Sequence, residues 1–114
     1  MKNLFLPILL LLALAACTES AKIQVQNNIH NSRMENINFG SYGIYSSLLP
    51  GETSDELTIT ELRKEWPMRH YLEFYLVANN KQVYLRTQEM FTLDYDDELL
   101  IVIDDTTVVL NPLN

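Results

Sequence analysis

The sequence predicts an all-β protein, a sandwich or barrel built from short strands. After Lys22 apolar and polar residues alternate, as Ile23 and Val25 do with the glutamines that follow them, and this period of two is typical of half-buried strands. The candidate strands are rich in Val, Ile, Tyr, Thr and Phe, and turn signals such as Pro50-Gly51 separate them. The chain is long enough for one small core and too short for two.

The first element is a secretory signal, for which we expect the bounds 1–16. Lys2 supplies a basic start, an apolar stretch runs from Leu4 to Leu14, and Ala15 and Ala16 precede Cys17. This stretch is shorter than the ~20 apolar residues that a membrane-spanning helix needs. The run Leu14-Ala15-Ala16-Cys17 resembles the lipobox of bacterial lipoproteins. The resemblance implies cleavage before Cys17, diacylglycerol on its thiol and an acyl group on its amine.

The second element is a lipidated tether over residues 17–22, followed by a single domain over residues 23–114. Cleavage leaves 98 residues, in which seven basic side chains face fifteen acidic ones, a formal charge of −8. Nucleic acid is excluded as a partner because phosphate binding needs clustered Lys and Arg. The same acidic charge would be repelled by anionic lipid head groups, so membrane attachment depends on the covalent lipid. Two or three acyl chains anchor a protein stably. We expect a cell-envelope location, at the outer membrane, and no cofactor besides this covalent lipid.

The strands follow in order from the alternation of apolar and polar residues. Thr53-Ser54-Asp55-Glu56 also fits a helix capping box, but the β-branched residues that follow favour a strand, with a turn of helix before Trp66-Pro67. The predicted strands lie near residues 23–26, 36–39, Tyr42–Leu48, Ser54–Thr60, His70–Ala78, Lys81–Gln88, Glu98–Ile103 and Thr106–Leu110.

The strongest local prediction is a hairpin at Asn79-Asn80. Asparagine tolerates the left-handed conformation that a two-residue type I′ turn requires at both positions. This turn separates a core face from a solvent face, and a slip of one residue would exchange them. The core face pairs Leu76 with Val83, Phe74 with Leu85 and Leu72 with Thr87; the solvent face pairs Tyr75 with Tyr84, Glu73 with Arg86 and Tyr71 with Gln88.

Asp104-Asp105 predicts a second hairpin, which would pair Ile103 with Thr106, Ile101 with Val108 and Leu99 with Leu110. The opposite face of these strands, which carries Leu100, Val102 and Val109, is apolar as well. Strands of this kind are usually covered on both sides. If that second face is open, it is a candidate contact surface.

The acidic cluster Asp94, Asp96, Asp97 and Glu98 is the candidate metal site, because closely spaced carboxylates bind calcium. The spacing lacks the alternating ligands, the central glycine and the distal glutamate of a helix-loop-helix calcium loop. The alternative interpretation is a solvated loop that protects the following apolar strand from edge pairing.

No catalytic residues are predicted. Lipidation would remove the thiol of Cys17 as a nucleophile, and neither His30 nor His70 lies in a recognisable motif. The sequence holds no nucleophile elbow, zinc-ligand spacing or phosphate-binding glycine loop.

The candidate ligand face consists of Tyr71, Glu73, Tyr75, Tyr84 and Arg86, all on the solvent side of the first hairpin. Tyrosine offers flat apolar area with a polar tip, so this face suits a sugar or a peptide, and Trp66 is placed to join it. The alternative is structural, since tyrosine commonly covers an exposed sheet face.

Several short motifs follow the run before Cys17, namely Ile23-Gln24-Val25-Gln26-Asn27, Asn36-Ile37-Asn38-Phe39, Leu48-Leu49-Pro50-Gly51-Glu52-Thr53-Ser54 and the aromatic strand Tyr71–Val77. With the lipobox, these motifs make much of the domain resemble small uncharacterised cell-envelope lipoproteins of Bacteroidetes-type bacteria. The resemblance implies an immunoglobulin-like or transthyretin-like antiparallel β-sandwich of about seven strands. It implies no catalytic or ligand residues, and Asn79-Asn80 stands where such chains have Asp-Gly.

The expected function is non-enzymatic binding or envelope assembly by a lipid-anchored protein with a protein or glycan partner. One alternative is an acidic inhibitor of a basic hydrolase that attacks the envelope, which the charge of the chain suggests. The other is a calcium-dependent binder or enzyme that uses the loop Asp94–Glu98.

Overall fold

The computed structural model describes residues 17–44 and 46–112, which form strands and one short 3₁₀ turn at Arg63–Glu65. The strands in chain order are β1 (Thr18–Asn28), β2 (Arg33–Phe39), β3 (Tyr42–Gly43), β4 (Leu57–Leu62), β5 (Met68–His70), β6 (Leu72–Ala78), β7 (Lys81–Thr87), β8 (Phe91–Leu93), β9 (Glu98–Asp104) and β10 (Val109–Leu110).

The strands form two main sheets that pack face to face, so the predicted all-β sandwich is confirmed. One sheet has the order β4-β1-β9, the other has the order β10-β7-β6-β2-β3, and β5 pairs with β8 beside them. All neighbouring strands are antiparallel except β1 and β9, which are parallel.

One hydrophobic core lies between the two sheets. β1 contributes Ile23 and Val25, and β9 contributes Ile101 and Ile103 at alternate positions. The five-stranded sheet supplies residues that are equally buried, namely Met34, Ile37, Phe39, Leu72 and Phe74. Burial of every second residue removes the apolar face of each strand from water, which is the main stabilising contribution in a domain of this size.

The predicted hairpin at Asn79-Asn80 is confirmed. Asn79 and Asn80 have φ angles of 52° and 61°, as a type I′ turn requires. β6 and β7 pair in the predicted register from Glu73↔Arg86 to Ala78↔Lys81. Val83 is the exception on the core side, because it lies near the hairpin tip and is 42% exposed.

The predicted tether is not a free linker: Thr18–Lys22 is the first part of β1. These residues pair with β4, from Thr18↔Leu62 to Lys22↔Thr58, and Ala21 is buried. The alternation that begins visibly at Ile23 therefore extends back to residue 18. Ser20 supports this pairing, since its hydroxyl lies 2.7 Å from that of Thr60.

The predicted hairpin at Asp104-Asp105 is wrong, because β9 and β10 belong to different sheets. β9 pairs with β1, whereas Val109 of β10 lies opposite Thr87 of β7. Asp104 stabilises the crossover as an Asx turn, in which its Oδ1 accepts hydrogen bonds from the N–H and the hydroxyl of Thr106. The two aspartates lack the positive φ angles that a two-residue type I′ hairpin needs.

The segment Gly51–Ser54 continues the edge of the three-stranded sheet beyond β4. Gly51 donates its N–H to the carbonyl of Asn27 at 2.6 Å, and Ser54 donates its N–H to that of Val25 at 2.7 Å. The hydroxyl of Ser54 accepts the Val25 N–H at 2.9 Å. Gly51, Glu52 and Ser54 thus hydrogen-bond to β1 beyond the end of β4, whereas Leu48 pairs with Met34 of β2.

Candidate functional site

Cys17 is exposed and directly precedes β1. Its carbonyl accepts a hydrogen bond from the N–H of Arg63 at 3.0 Å, so it lies beside the end of β4. The other residues of the predicted lipobox, Leu14, Ala15 and Ala16, lie outside the described residues. Over residues 17–44 and 46–112, no helix is long and apolar enough to cross a membrane.

The hairpin brings the predicted ligand residues together on the outer face of the five-stranded sheet. We call Tyr71, Glu73, Tyr75, Tyr84 and Arg86 the tyrosine surface; each of these side chains is half-buried. The rings of Tyr75 and Tyr84 pack with centroids 5.2 Å apart and planes tilted by 60°. A tilted aromatic pair of this kind contributes about 0.5–1.5 kcal/mol beyond the area it buries.

Glu73 and Arg86 lie opposite each other, but they do not form the ion pair that the register suggests. The Tyr84 hydroxyl instead donates a short hydrogen bond to Oε2 of Glu73. The guanidinium of Arg86 lies 4.3 Å from the centroid of the Tyr71 ring, a cation–π contact. Nε of Arg86 is buried and has no hydrogen-bond partner within the described part of the chain.

The surface continues onto the neighbouring strands on both sides. Leu110 of β10 lies opposite Arg86 and is 46% exposed. On the other side Glu35 of β2 lies opposite Tyr75, and its Oε1 accepts a hydrogen bond from Nε of Arg33 at 2.8 Å. The face therefore has an aromatic centre, an apolar margin and a charged margin.

The bond to Glu73 changes the titration of Tyr84. The pKa of Tyr84 is raised to about 12, first because its hydroxyl donates to the Glu73 carboxylate, and then by burial and the charge of Glu73. Because the folded-state pKa lies above the unfolded value of about 10, this contribution to stability is complete below pH 10 and is lost as the pH approaches 12.

Replacing Glu73 with Gln should return the pKa of Tyr84 towards 10, because the charged acceptor is gone. Absorbance at 295 nm during an alkaline titration should then show one more tyrosine ionising near pH 10. Glu61→Gln is the matched control. Tyr42 donates to Glu61 at 2.9 Å, and the pKa of Tyr42 is also raised to about 12, but chiefly by burial, so this variant should change the titration curve less. A Glu73→Gln titration curve identical to that of the unmodified protein would show that the bond is absent in solution.

The structure does not assemble the predicted metal site. The carboxylate of Asp97 accepts the Asp94 N–H at 2.8 Å, and that of Asp94 accepts the Tyr95 N–H at 2.8 Å, so both stabilise a turn. Asp96 has a φ of 66° and donates its N–H to the carbonyl of Ser20. Glu98 is exposed at the start of β9. No three acidic, His or Cys side chains of the described residues could hold an ion together.

Trp66 and the two histidines serve the fold rather than the tyrosine surface. Trp66 is buried in the core, 8% exposed, and so does not join that face. The His70 ring packs edge-on against Phe39, with centroids 5.1 Å apart. His30 donates its backbone N–H to the Asp105 carboxylate at 2.9 Å.

The crossover leaves β9 as an edge strand, which the sequence interpretation missed. The outward positions Leu100 and Val102 are 48% and 40% exposed, so the apolar second face considered from the sequence is open. Val109, which was expected beside them, is half-buried in the other sheet. The Asp-Asp-Thr-Thr run, typical of an Asx turn, was the available signal against a tight hairpin.

Comparison of the chain with protein-family models, with curated proteins and with solved structures found no match.

Proposed function

We propose that this chain is a lipid-anchored, non-enzymatic binding protein of the cell envelope whose tyrosine surface contacts a protein partner. The observation that carries the binding role is the composition of that surface, since three tyrosines and an arginine occupy one sheet face. Tyr and Arg are enriched at interfaces because they bury much area with a polar or charged tip.

The geometry favours a protein over a glycan. Stacking on a sugar ring needs an open aromatic face, but the rings of Tyr75 and Tyr84 are tilted by 60° and Arg86 covers a face of Tyr71. A protein partner can follow an uneven surface with several side chains. A partner carboxylate or carbonyl would also be attracted to the guanidinium of Arg86, held in place by Tyr71.

The anchor is supported by the sequence before Cys17 and by the exposure of that residue. Cys17 directly precedes β1, which lies in the three-stranded sheet, whereas the tyrosine surface is on the outer side of the other sheet. An anchor at Cys17 therefore leaves the tyrosine surface on the layer that does not carry the lipid.

The anchoring part is tested by replacing Cys17 with Ala in cells supplied with labelled palmitate. We expect the label to disappear and the protein to move from the membrane fraction to the soluble fraction, because the thiol that receives diacylglycerol is gone. Thr18→Ala, one residue further on, is the control and should keep the label. Retention of the label by Cys17→Ala would disprove lipidation at this residue.

The binding part is tested by placing a photo-crosslinking phenylalanine analogue at position 75 in the native envelope. We expect a light-dependent adduct with one protein at this position. The same group at Thr58, which is exposed on β4 of the other sheet, should give no such adduct. No adduct at position 75, or the same adduct from both positions, would contradict the proposal, and an adduct with a glycan would contradict the protein partner.

A further inference from the structure

β9 forms one edge of the three-stranded sheet. It pairs with β1 along seven residues, from Lys22↔Glu98 to Asn28↔Asp104, and no other described strand pairs with it. An edge strand presents a row of backbone donors and acceptors that another chain can use. This edge is separate from the tyrosine surface, which lies on the other sheet.

The outward backbone groups of β9 can be assigned from its pairing with β1. Lys22 donates its N–H to the carbonyl of Asp97 at 2.8 Å, so the odd-numbered residues of β9 bond to β1. Because peptide groups alternate in direction along a strand, the N–H and C=O groups of Leu100 and Val102 are directed to the open edge. The available stretch ends at Asp104, whose N–H donates to Oγ1 of Thr107 at 3.0 Å.

Between its acidic ends, this edge lacks the features that usually prevent strand addition. Residues 98–104 contain no proline, lysine or glycine, and their pairing with β1 shows no bulge. Ile101 and Ile103 hold the strand on the core, while Leu100 and Val102 remain exposed. A groove of about 330 Å³ borders the edge, and its lining includes Val102, Phe91 and Val108. An added strand would therefore meet both backbone groups and apolar side chains.

The charges at the two ends of β9 select the occupant. Glu98 begins the strand and Asp104 ends it, with Asp97 and Asp105 just outside. In a second copy paired antiparallel over the whole strand, Glu98 would lie opposite Asp104 and Asp97 opposite Asp105. Like charges directly opposite each other are destabilising, so this arrangement disfavours self-association. A strand with Lys or Arg at both ends would find opposite charges at those positions.

We propose that the open edge of β9 binds an extended segment of a basic partner protein, with alternating apolar residues and a cationic residue at each end, as an added β-strand. Backbone hydrogen bonds to Leu100 and Val102 supply the pairing, and the acidic ends of β9 supply the preference for basic segments. The proposal does not depend on the function assigned to the tyrosine surface.

The test measures binding of a fluorescent peptide, acetyl-Lys-Val-Thr-Val-Thr-Val-Lys-amide, to the purified full chain by anisotropy. We expect saturable binding that weakens at least tenfold between low salt and half-molar salt, because the end charges are exposed. The same peptide with glutamate at both ends should bind at least tenfold more weakly. So should a peptide methylated at the backbone nitrogens of its two threonines, which face β9 when the lysines lie opposite Glu98 and Asp104 in an antiparallel strand. Equal binding of the basic, acidic and methylated peptides would overturn strand addition.

Protein variants locate the site. Val102→Pro removes one outward N–H without removing a bond to β1, and should weaken binding at least tenfold. Thr58→Pro is the matched control, because Thr58 occupies the equivalent outward position on β4, the other edge of the same sheet. Equal loss in both variants would place the peptide elsewhere.

Glu98→Lys keeps the backbone intact and should weaken the basic peptide several-fold while strengthening the acidic one. If Val102→Pro does not fold, Glu98→Lys still tests the proposal. An unchanged preference for the basic over the acidic peptide would overturn the selection by charge. Sedimentation of the full chain measures its oligomeric state and so tests whether a second copy occupies the edge. A dimer that Glu98→Lys alters would identify a second copy as the occupant and overturn the basic partner.

Discussion

Replacing Asn27 with Leu should destabilise the domain by about 3–5 kcal/mol, because the amide joins three parts of the chain inside the core. Asn27 is fully buried. Its Nδ2 donates to the carbonyls of Ser32 and Leu48 at 2.9 and 2.8 Å, and its Oδ1 accepts the N–H of Ile29 at 2.9 Å. Leucine fills a similar volume but leaves the Ser32 carbonyl and the Ile29 N–H without this partner, and leaves the Leu48 carbonyl with only the Met34 N–H.

The loss is large for a small domain, whose total stability is about 5–15 kcal/mol. Urea unfolding followed by fluorescence would measure it, since Trp66 is the single tryptophan and is buried. Asn28→Leu is the matched control, because Asn28 is the next residue of β1 and is exposed. A loss no larger than that of the control would show that the three hydrogen bonds contribute nothing to stability.

Asn27→Asp separates the hydrogen bonds from simple burial. The introduced carboxyl keeps the acceptor for Ile29, but its second oxygen would face the carbonyls of Ser32 and Leu48, which lose the donor that Asn27 supplies. Burial and these carbonyls favour the protonated form, so the folded-state pKa should lie above the unfolded value of about 3.9. The variant should therefore be closest to the unmodified protein below pH 4 and should lose stability as the pH rises above it.

The local parts of this fold follow from the sequence, and the hairpin of β6 and β7 shows why. Its turn, its register and its two faces are all set within 16 consecutive residues, from 72 to 87, so the pattern of side chains determines them. The facing positions of the tyrosine surface follow from the same register. What the register does not determine is which polar groups bond, and Tyr84 rather than Arg86 became the partner of Glu73.

The errors concern pairing between distant segments. Residues 98–110 alternate as a hairpin would, and nothing local shows that β1, more than seventy residues earlier, is the partner of β9. The role of Asn27 is equally hidden, since a polar residue at a strand end is usually exposed and its partners come from two later segments. The segment Thr18–Lys22 contains few apolar residues, so its sequence predicts a tether, and only the pairing with β4 makes it a strand.

Replacing Gly40 with Ala should cost about 2–4 kcal/mol, from backbone strain and steric overlap together. Gly40 follows β2 with a φ of +58°, in the left-handed region that side chains disfavour. A Cβ atom at this position would lie 2.5 Å from Cγ and from Nδ1 of His70. That ring has little room to move, because it packs edge-on against Phe39 and lies near Tyr42, with centroids 5.1 and 6.2 Å away.

Gly51→Ala is the control that isolates the strain. Gly51 also has a left-handed φ, of +89°, but apart from its chain neighbours no described residue lies within 4 Å of the position its Cβ would take. This variant should lose only about 1–2 kcal/mol. Urea unfolding of both variants gives the comparison, and equal losses would show that the contact between position 40 and His70 does not matter in solution.

A double variant separates the two contributions at Gly40. His70→Ala alone should lose the contacts of its ring with Phe39 and Tyr42, and Gly40→Ala alone should carry strain and overlap. In the combined variant the overlap is absent, because the ring is gone, while the strain remains. The combined loss should therefore be smaller than the sum of the two single losses, by about 1 kcal/mol or more. Strictly additive losses would mean that the backbone angle of Gly40, and not its distance from His70, requires glycine there.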